Sequence, residues 1–308
     1  MIDYRVSLVK PPKYRSYKTK RTVSLVLSYI LLTLLSIIWL IPIVWIVLNA
    51  FRCELREDGT FIGIVVSNYF PNRLGFDNFI NLFKGTYYGV PYAFPKWILN
   101  TLIVAVADCL IASFLVLSVA YCMSKLRFKL RKPFMNISMI IGLFPGFLSM
   151  IAIYFLLKSL GLTQSLFGLI LAYSAGAGLG FQVAKGFFDV IPTALVESAK
   201  LDGCSNFKIF TKIILPLSKP IIIYTALTSF TGPWMDFIFA KVIIGVGNPD
   251  KWTVAVGLYS LLFGPQSDAS FFTQFAAGCF CIGVPIVALF MALQKYYVEG
   301  VTAGAVKG

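Results

Sequence analysis

The chain has 308 residues, of which 58% are hydrophobic, with a mean hydropathy of +0.82 and a formal net charge of +14. A water-soluble domain of this size cannot bury so much apolar surface, so the composition points to a polytopic membrane protein. Histidine is absent, which excludes histidine-based triads, histidine metal sites and histidine proton relays.

Residues 1–22 are polar and basic, with Arg5, Lys10, Lys13, Arg15, Lys18, Lys20 and Arg21, and Pro11-Pro12 discourages helix there. This stretch reads as a cytoplasmic tail able to touch anionic lipid. The apolar run that follows, about 23–49, is too long for a signal-peptide core and is expected to be the first transmembrane helix, bent near Pro42. Residues 50–95 form a long polar connection. Further spans are expected at about 96–123, 134–157, 166–189, 218–243 and 271–294, which makes residues 23–294 one six-helix domain. A basic loop, SKLRFKLRKP, separates the second span from the third. Residues 295–308 are left as a C-terminal tail.

Lysine and arginine decide the orientation. Nineteen of the 27 fall on the side of the termini, the 125–132 loop and the stretch after the fourth span, and eight fall on the other side. This bias predicts that both termini and the connection after the fourth span are cytoplasmic. It also accounts for the net charge without invoking nucleic acid.

That connection, residues 192–220, reads as two short helices joined at a glycine. Pro192 suits the opening of the first helix, and Gly203 suits its end, where a left-handed residue is wanted. Ser205 is placed to cap the second helix. Phe207, Phe210, Ile214 and Leu217 recur at helical spacing and predict one apolar face, with Pro216 disturbing the pattern as the chain turns into the fifth span.

Glu197, Ser198 and Ala199 are followed at fixed intervals by Gly203, Ile213, Leu215 and Pro216. This resembles the EAA loop of binding-protein-dependent ABC importer permeases: Glu-Ala-Ala, three residues, Gly, nine residues, Ile, one residue, Leu-Pro. Ser198 replaces the first alanine and is also small. The resemblance implies an all-α type I importer permease fold, with the loop acting as a coupling helix that docks in a cleft of a cytoplasmic ATPase. Glu197, Ser198, Ala199, Asp202, Gly203, Ile213, Leu215 and Pro216 would make that contact.

The C-terminal VEGVTAGAVKG resembles the tail of the maltose-type (MalG) permease class. In that class the tail reaches between the ATPase subunits, which implies such a role for Thr302, Ala303, Gly304, Lys307 and Gly308. The link after the fifth span, GVGNPDKWTVAVGLYSLL, resembles the same class. Its outer loop enters the cleft of an extracellular sugar-binding protein, which assigns that contact to Asn248, Pro249, Asp250, Lys251, Trp252 and Thr253. The resemblance therefore implies an oligosaccharide importer with a second, MalF-type permease, two ATPase subunits and a binding protein.

No GxxxxGK[ST] occurs, so the chain itself is expected to bind no ATP and to carry no cofactor or enzymatic activity. Gly176, Gly178 and Gly180 lack a complete dinucleotide fingerprint and read as close helix packing or a flexible pore wall. Asp108 and Asp236 are intramembrane or near-boundary carboxylates. Asp108 reads as structural, and Asp236 as supporting the pore near the outer boundary. Six scattered cysteines read as small packing residues. The rival readings are an ion-coupled secondary sugar transporter, which should show inverted repeats, and a non-transporting membrane scaffold.

Overall fold

A computed structural model describes residues 17–54, 59 and 68–302. Most of the basic N-terminal tail and Ala303, Gly304, Lys307 and Gly308 lie outside the described residues.

The first helix, α1 (Tyr17–Ala50), runs unbroken through Pro42. Its residues from Val23 to Val44 are almost all exposed, Trp39 at 73%. In a membrane such a surface faces lipid, and only the last turn enters the protein, where Trp45 meets Phe272 at 5.2 Å between ring centroids. The polar connection that follows is more structured than its composition suggests. Arg52 is fully buried, and its Nη2 donates to the carbonyls of Asn68 and Tyr69. Then come α2 (Asp77–Lys84) and a hairpin of β1 (Thr86–Tyr87) and β2 (Val90–Pro91). Tyr88 and Gly89 turn that hairpin with φ of 54° and 76°, the paired positive values that match strand twist in a two-residue turn. The Tyr87 hydroxyl donates to Gln274, and burial pushes its pKa up to about 12.

The central element is α3 (Ala93–Lys125), 33 residues and about 50 Å long at 1.5 Å per residue. It packs against α6 (Leu166–Ala177), α7 (Phe181–Val190), α11 (Lys219–Met235) and α13 (Val254–Phe263), and its buried positions follow a helical period. The last helix, α14 (Phe272–Thr302), packs on α1, α2, α11 and α13. It continues eight residues past the expected end of the sixth span, through KYYVEGVT.

The other expected spans are broken. The third is α4 (Arg131–Gly142) and α5 (Gly146–Ser159), set at 103° to each other. Pro145 explains the corner, since it lacks an N–H and has extended backbone (ψ 125°) just before α5. The fourth is α6 and α7 with a 3₁₀ turn, Gly178–Gly180, between them and a bend of 42°. The fifth, expected over 218–243, stops at Met235. Asp236 ends it and accepts hydrogen bonds from the backbone N–H of Phe239 (3.2 Å) and Ala240 (3.1 Å), which starts a separate helix, α12 (Ile238–Ile244). The carboxylate satisfies amides that an unbroken helix would have bonded internally. Three long helices and three bent pairs, the last pairing residues 206–217 with α11 at 89°, make up to six crossings.

Two cores result, one near each end of α3. The first gathers Phe94, Trp97, Trp252, Ile243 and Leu258; the second gathers Tyr121, Phe181, Phe188, Ile209 and Ile214. In the first core a Cβ built on Gly257 would lie 2.1 Å from Cε3 of Trp97. Gly257→Val should therefore force the α3–α13 contact apart at a cost of about 1–3 kcal/mol. A lowered melting temperature of the detergent-solubilised protein checks this; an unchanged one would mean that Trp97 does not need that space.

Candidate functional site

The segment after α7 folds as two short helices. The first, α8 (Thr193–Leu201), is preceded by Pro192. Gly203 then turns the chain at φ +77°, where its amide donates to the Lys200 carbonyl and that of Cys204 to the Ala199 carbonyl. The Ser205 hydroxyl accepts from the Lys208 amide and caps α9 (Asn206–Ile209). A π-helical turn, Phe210–Ile214, leads into α10 (Leu215–Leu217). Pro216 supplies no N–H, so the preceding carbonyls rearrange into this wider turn.

The wider turn changes which side chains are buried. Regular spacing predicts one face of Phe207, Phe210, Ile214 and Leu217. Instead Ile209, Phe210 and Ile214 are buried, while Phe207 is 72% and Leu217 53% exposed. The buried set is held against the end of α3. The Tyr121 ring lies 4.9 Å from that of Phe210, and its hydroxyl donates to the Asn206 carbonyl at 3.1 Å. Lys125 Nζ donates to the Ile191 carbonyl at 2.6 Å, and Ser124 Oγ to Asp189 at 2.6 Å. Glu197, Ser198, Asp202, Gly203 and Pro216 are exposed, Ile213 and Leu215 are half-buried, and Ala199 is buried. Leu201 stands out at 89% exposure.

At the far end of α3 the Asn248–Thr253 stretch is folded down onto the bundle. Asn100 Nδ2 donates to the carbonyls of Asp250 (2.8 Å) and Trp252 (3.0 Å), and Trp97 Nε1 donates to that of Pro249 (2.8 Å). The Val254 amide donates to Thr101 Oγ1 at 2.8 Å. Trp252 and Thr253 are buried, so these two side chains serve the protein's own core. Lys251 remains exposed, and so do Val246 and Phe263. Asn100 and Thr101 had no motif to announce them; two polar residues at the start of an otherwise apolar helix were the only signal. Of the tail residues, Thr302 ends α14 and the others lie outside the described set.

Between the two cores lies a cavity of about 400 Å³. One wall is Tyr224, Thr228 and Gly232 of α11 with Asp236 just beyond it, each four residues from the last. Tyr173, Ala177, Gly180 and Asp108 stand around it. Asp108 is buried and accepts from Ser174 Oγ at 2.8 Å. Asp236 accepts from the Tyr173 hydroxyl at 2.5 Å. A second cavity, of about 530 Å³, lies toward α5, and Tyr173 and Asp236 are the two residues that line both. Close packing does not explain Gly176, Gly178 and Gly180, because a Cβ on any of them would meet nothing within 4 Å.

Long apolar helices and bent helix pairs with a structured, exposed turn define a class, the polytopic helical membrane proteins. The match to known proteins agrees. A family model described as "Binding-protein-dependent transport system inner membrane component" matches residues 116–302, and the chain belongs to this family. It is 33% identical over 292 residues to the galactooligosaccharides transport system permease protein GanQ of Bacillus subtilis, covering 94% of this chain and 98% of the relative. The maltodextrin transport system permease protein MdxG of the same organism is 32% identical, with 94% and 99% covered. The maltose/maltodextrin permease protein MalG of Vibrio parahaemolyticus is 29% identical, with 97% and 98% covered. The crystal structure of a bacterial ABC transporter that imports the acidic polysaccharide alginate contains a chain of the same fold. Its TM-score is 0.65 at 17% identity, covering 94% of this chain and all of that one.

The Gly203 turn yields a test. No atom crowds a Cβ there, so a substitution costs only what its φ of +77° imposes. Gly203→Val should cost about 1–2 kcal/mol more than Gly203→Asn, since asparagine tolerates left-handed backbone and a β-branched residue does not. Protease susceptibility of the 192–220 segment in the folded protein reads the difference; equal susceptibility would show that the turn does not depend on glycine.

Proposed function

We propose that this chain is one of two homologous permease subunits of an ATP-driven importer for oligosaccharides of the maltodextrin type, in the plasma membrane of a bacterium. The observation that carries the reading is the exposed surface of the Gly203 turn. Leu201 and Phe207, at 89% and 72% exposure, stand before and after Gly203 on a structured loop that is braced from behind by α3, with Glu197 one helical turn ahead of Leu201. Exposed apolar side chains on a braced turn suit a partner's cleft better than they suit water.

The lysine and arginine bias puts this loop on the cytoplasmic side, within reach of a nucleotide-hydrolysing subunit. Glu197, Ser198, Asp202, Gly203 and Pro216 then offer the contact surface, while Ala199, Ile213 and Leu215 hold its shape. When the ATPase dimer closes, the loop moves as one body, and the helices behind it switch access from one face of the membrane to the other. The C-terminal residues Thr302 to Gly308 reach the same partners. At the opposite end, Lys251 and its exposed neighbours meet the sugar-binding protein, with Asn248, Pro249, Asp250, Trp252 and Thr253 holding that surface in place. The names of the sequence relatives favour uncharged hexose oligosaccharides over an acidic cargo. No feature supports the ion-coupled or scaffold alternatives as well.

Affinity purification in mild detergent, followed by mass spectrometry, should recover a second permease and an ATPase. The recovered complex should hydrolyse ATP faster when oligosaccharide and binding protein are added. Glu197→Lys should insert normally in the membrane but retain at least tenfold less ATPase. Sugar uptake driven by an ion gradient without ATP would defeat the proposal in favour of a secondary transporter.

A further inference from the structure

We infer that the translocation path along this chain is negatively charged where its two cavities meet, which makes the permease selective for neutral oligosaccharides and closed to carboxylated ones. The inference rests on the proposed transport reading and deepens it by naming the class of cargo.

The geometry starts from α11. Tyr224, Thr228, Gly232 and Asp236 recur at intervals of four, so they lie on one face, and all of them line the 400 Å³ cavity. Such a stripe is expensive against lipid and is expected where water or a polar solute passes. Thr228 and Gly232 are exposed, and across from them Gly180 has open space where a Cβ would stand. The wall is therefore both polar and wide.

Among the described residues, Tyr173 and Asp236 are the two common to this cavity and the neighbouring one of about 530 Å³. A solute that moves from one to the other passes their hydrogen bond. Among the described residues the Asp236 carboxylate is met by donors: the Tyr173 hydroxyl and the amides of Phe239 and Ala240. That is how a carboxylate anion is satisfied. Asp108 adds a second acidic group to the first cavity, and no lysine or arginine lines either cavity among the described residues.

The arrangement suits a polyol. Sugar hydroxyls donate to carboxylates, and Tyr173, Tyr224 and Thr228 line the same cavity with hydroxyl groups. A uronate or an aldonic acid would bring a like charge into a space of low dielectric with no cation to offset it.

The test uses the chain assembled with its partner subunits in lipid nanodiscs, carrying Thr228→Cys. Labelling at that position is read by peptide mass spectrometry, so the six native cysteines do not contribute. A cationic trimethylammonium methanethiosulfonate should react at least about tenfold faster than the anionic sulfonate analogue, after correction for their rates with a free thiol, because charged clefts concentrate counter-ions by such factors. Adding Asp236→Asn and Asp108→Asn should return the ratio to the free-thiol value. Leu160→Cys, 61% exposed just past α5 and lining neither cavity, should give the same ratio with and without these changes. A neutral oligosaccharide should slow labelling at position 228, and its C6-oxidised counterpart should slow it less. A free-thiol ratio, no labelling at all, or equal protection by both sugars would overturn the inference. Loss of ATP-driven uptake by the unmodified complex would instead overturn the transport reading, so the two failures are distinct.

Discussion

Everything in this protein is referred to α3, and α3 is fixed at both ends by hydrogen bonds to the turns and short helices that pack there. At one end Trp97, Asn100 and Thr101 bind four backbone groups of residues 249–254. At the other, Tyr121, Ser124 and Lys125 bind Asn206, Asp189 and Ile191. Buried backbone groups left without partners would cost on the order of 1–3 kcal/mol each, and in a membrane water is not there to replace them. Side chains of α3 supply those partners. A helix about 50 Å long outreaches the roughly 30 Å hydrocarbon layer, so its ends lie where loops must be anchored.

The same rule explains where the helices break. Non-helical backbone at membrane depth is tolerated only where protein or a water-filled cavity meets it. The break after α11 satisfies this directly, because Asp236 takes up two amide hydrogens of the next helix and receives the Tyr173 hydroxyl as well. The 3₁₀ turn at Gly178–Gly180 borders the same cavity through Gly180. The corner at Pro145 leads into Gly146, which borders the neighbouring cavity. Three interruptions thus surround the two openings, and the unbroken helices α1, α3 and α14 lie elsewhere in the bundle or pass alongside.

Much of this was legible in the residues, and the part that was not has a common cause. Apolar length marked the long helices α1, α3 and α14, and the Gly203-to-Pro216 pattern marked the two-helix turn, because both are local patterns. The turn at Gly203 and the cap at Ser205 were readable for the same reason. The π turn was not, since its effect depends on how Pro216 perturbs carbonyls four and five residues earlier; it exchanged Phe207 and Leu217 for Ile209 on the buried face. Hydropathy also treats 218–243 as one run, because a single aspartate hardly changes a window average, yet that aspartate ends the helix. Trp252 read as a surface loop residue until Trp97 and Tyr88 were seen to enclose it, at ring distances of 5.9 and 4.9 Å. Contacts of that kind join residues more than a hundred positions apart.

The distribution of packing bears on how such a bundle would switch. Well-packed cores do not deform gradually; they move as bodies or exchange between discrete arrangements. Here the two cores sit near opposite ends of α3, each with its own aromatic contacts: Trp97 with Trp252 in one, Tyr121 with Phe210 in the other. Between them the structure is thin, with glycines beside which a Cβ would have open space and a cavity where a third core would otherwise be. Filling that middle with apolar side chains would gain transfer free energy at about 25 cal/mol per Å² of buried area. The chain places threonine, glycine, tyrosine and aspartate there instead. Stability is forgone in that middle region, and the two packed ends of the bundle keep it.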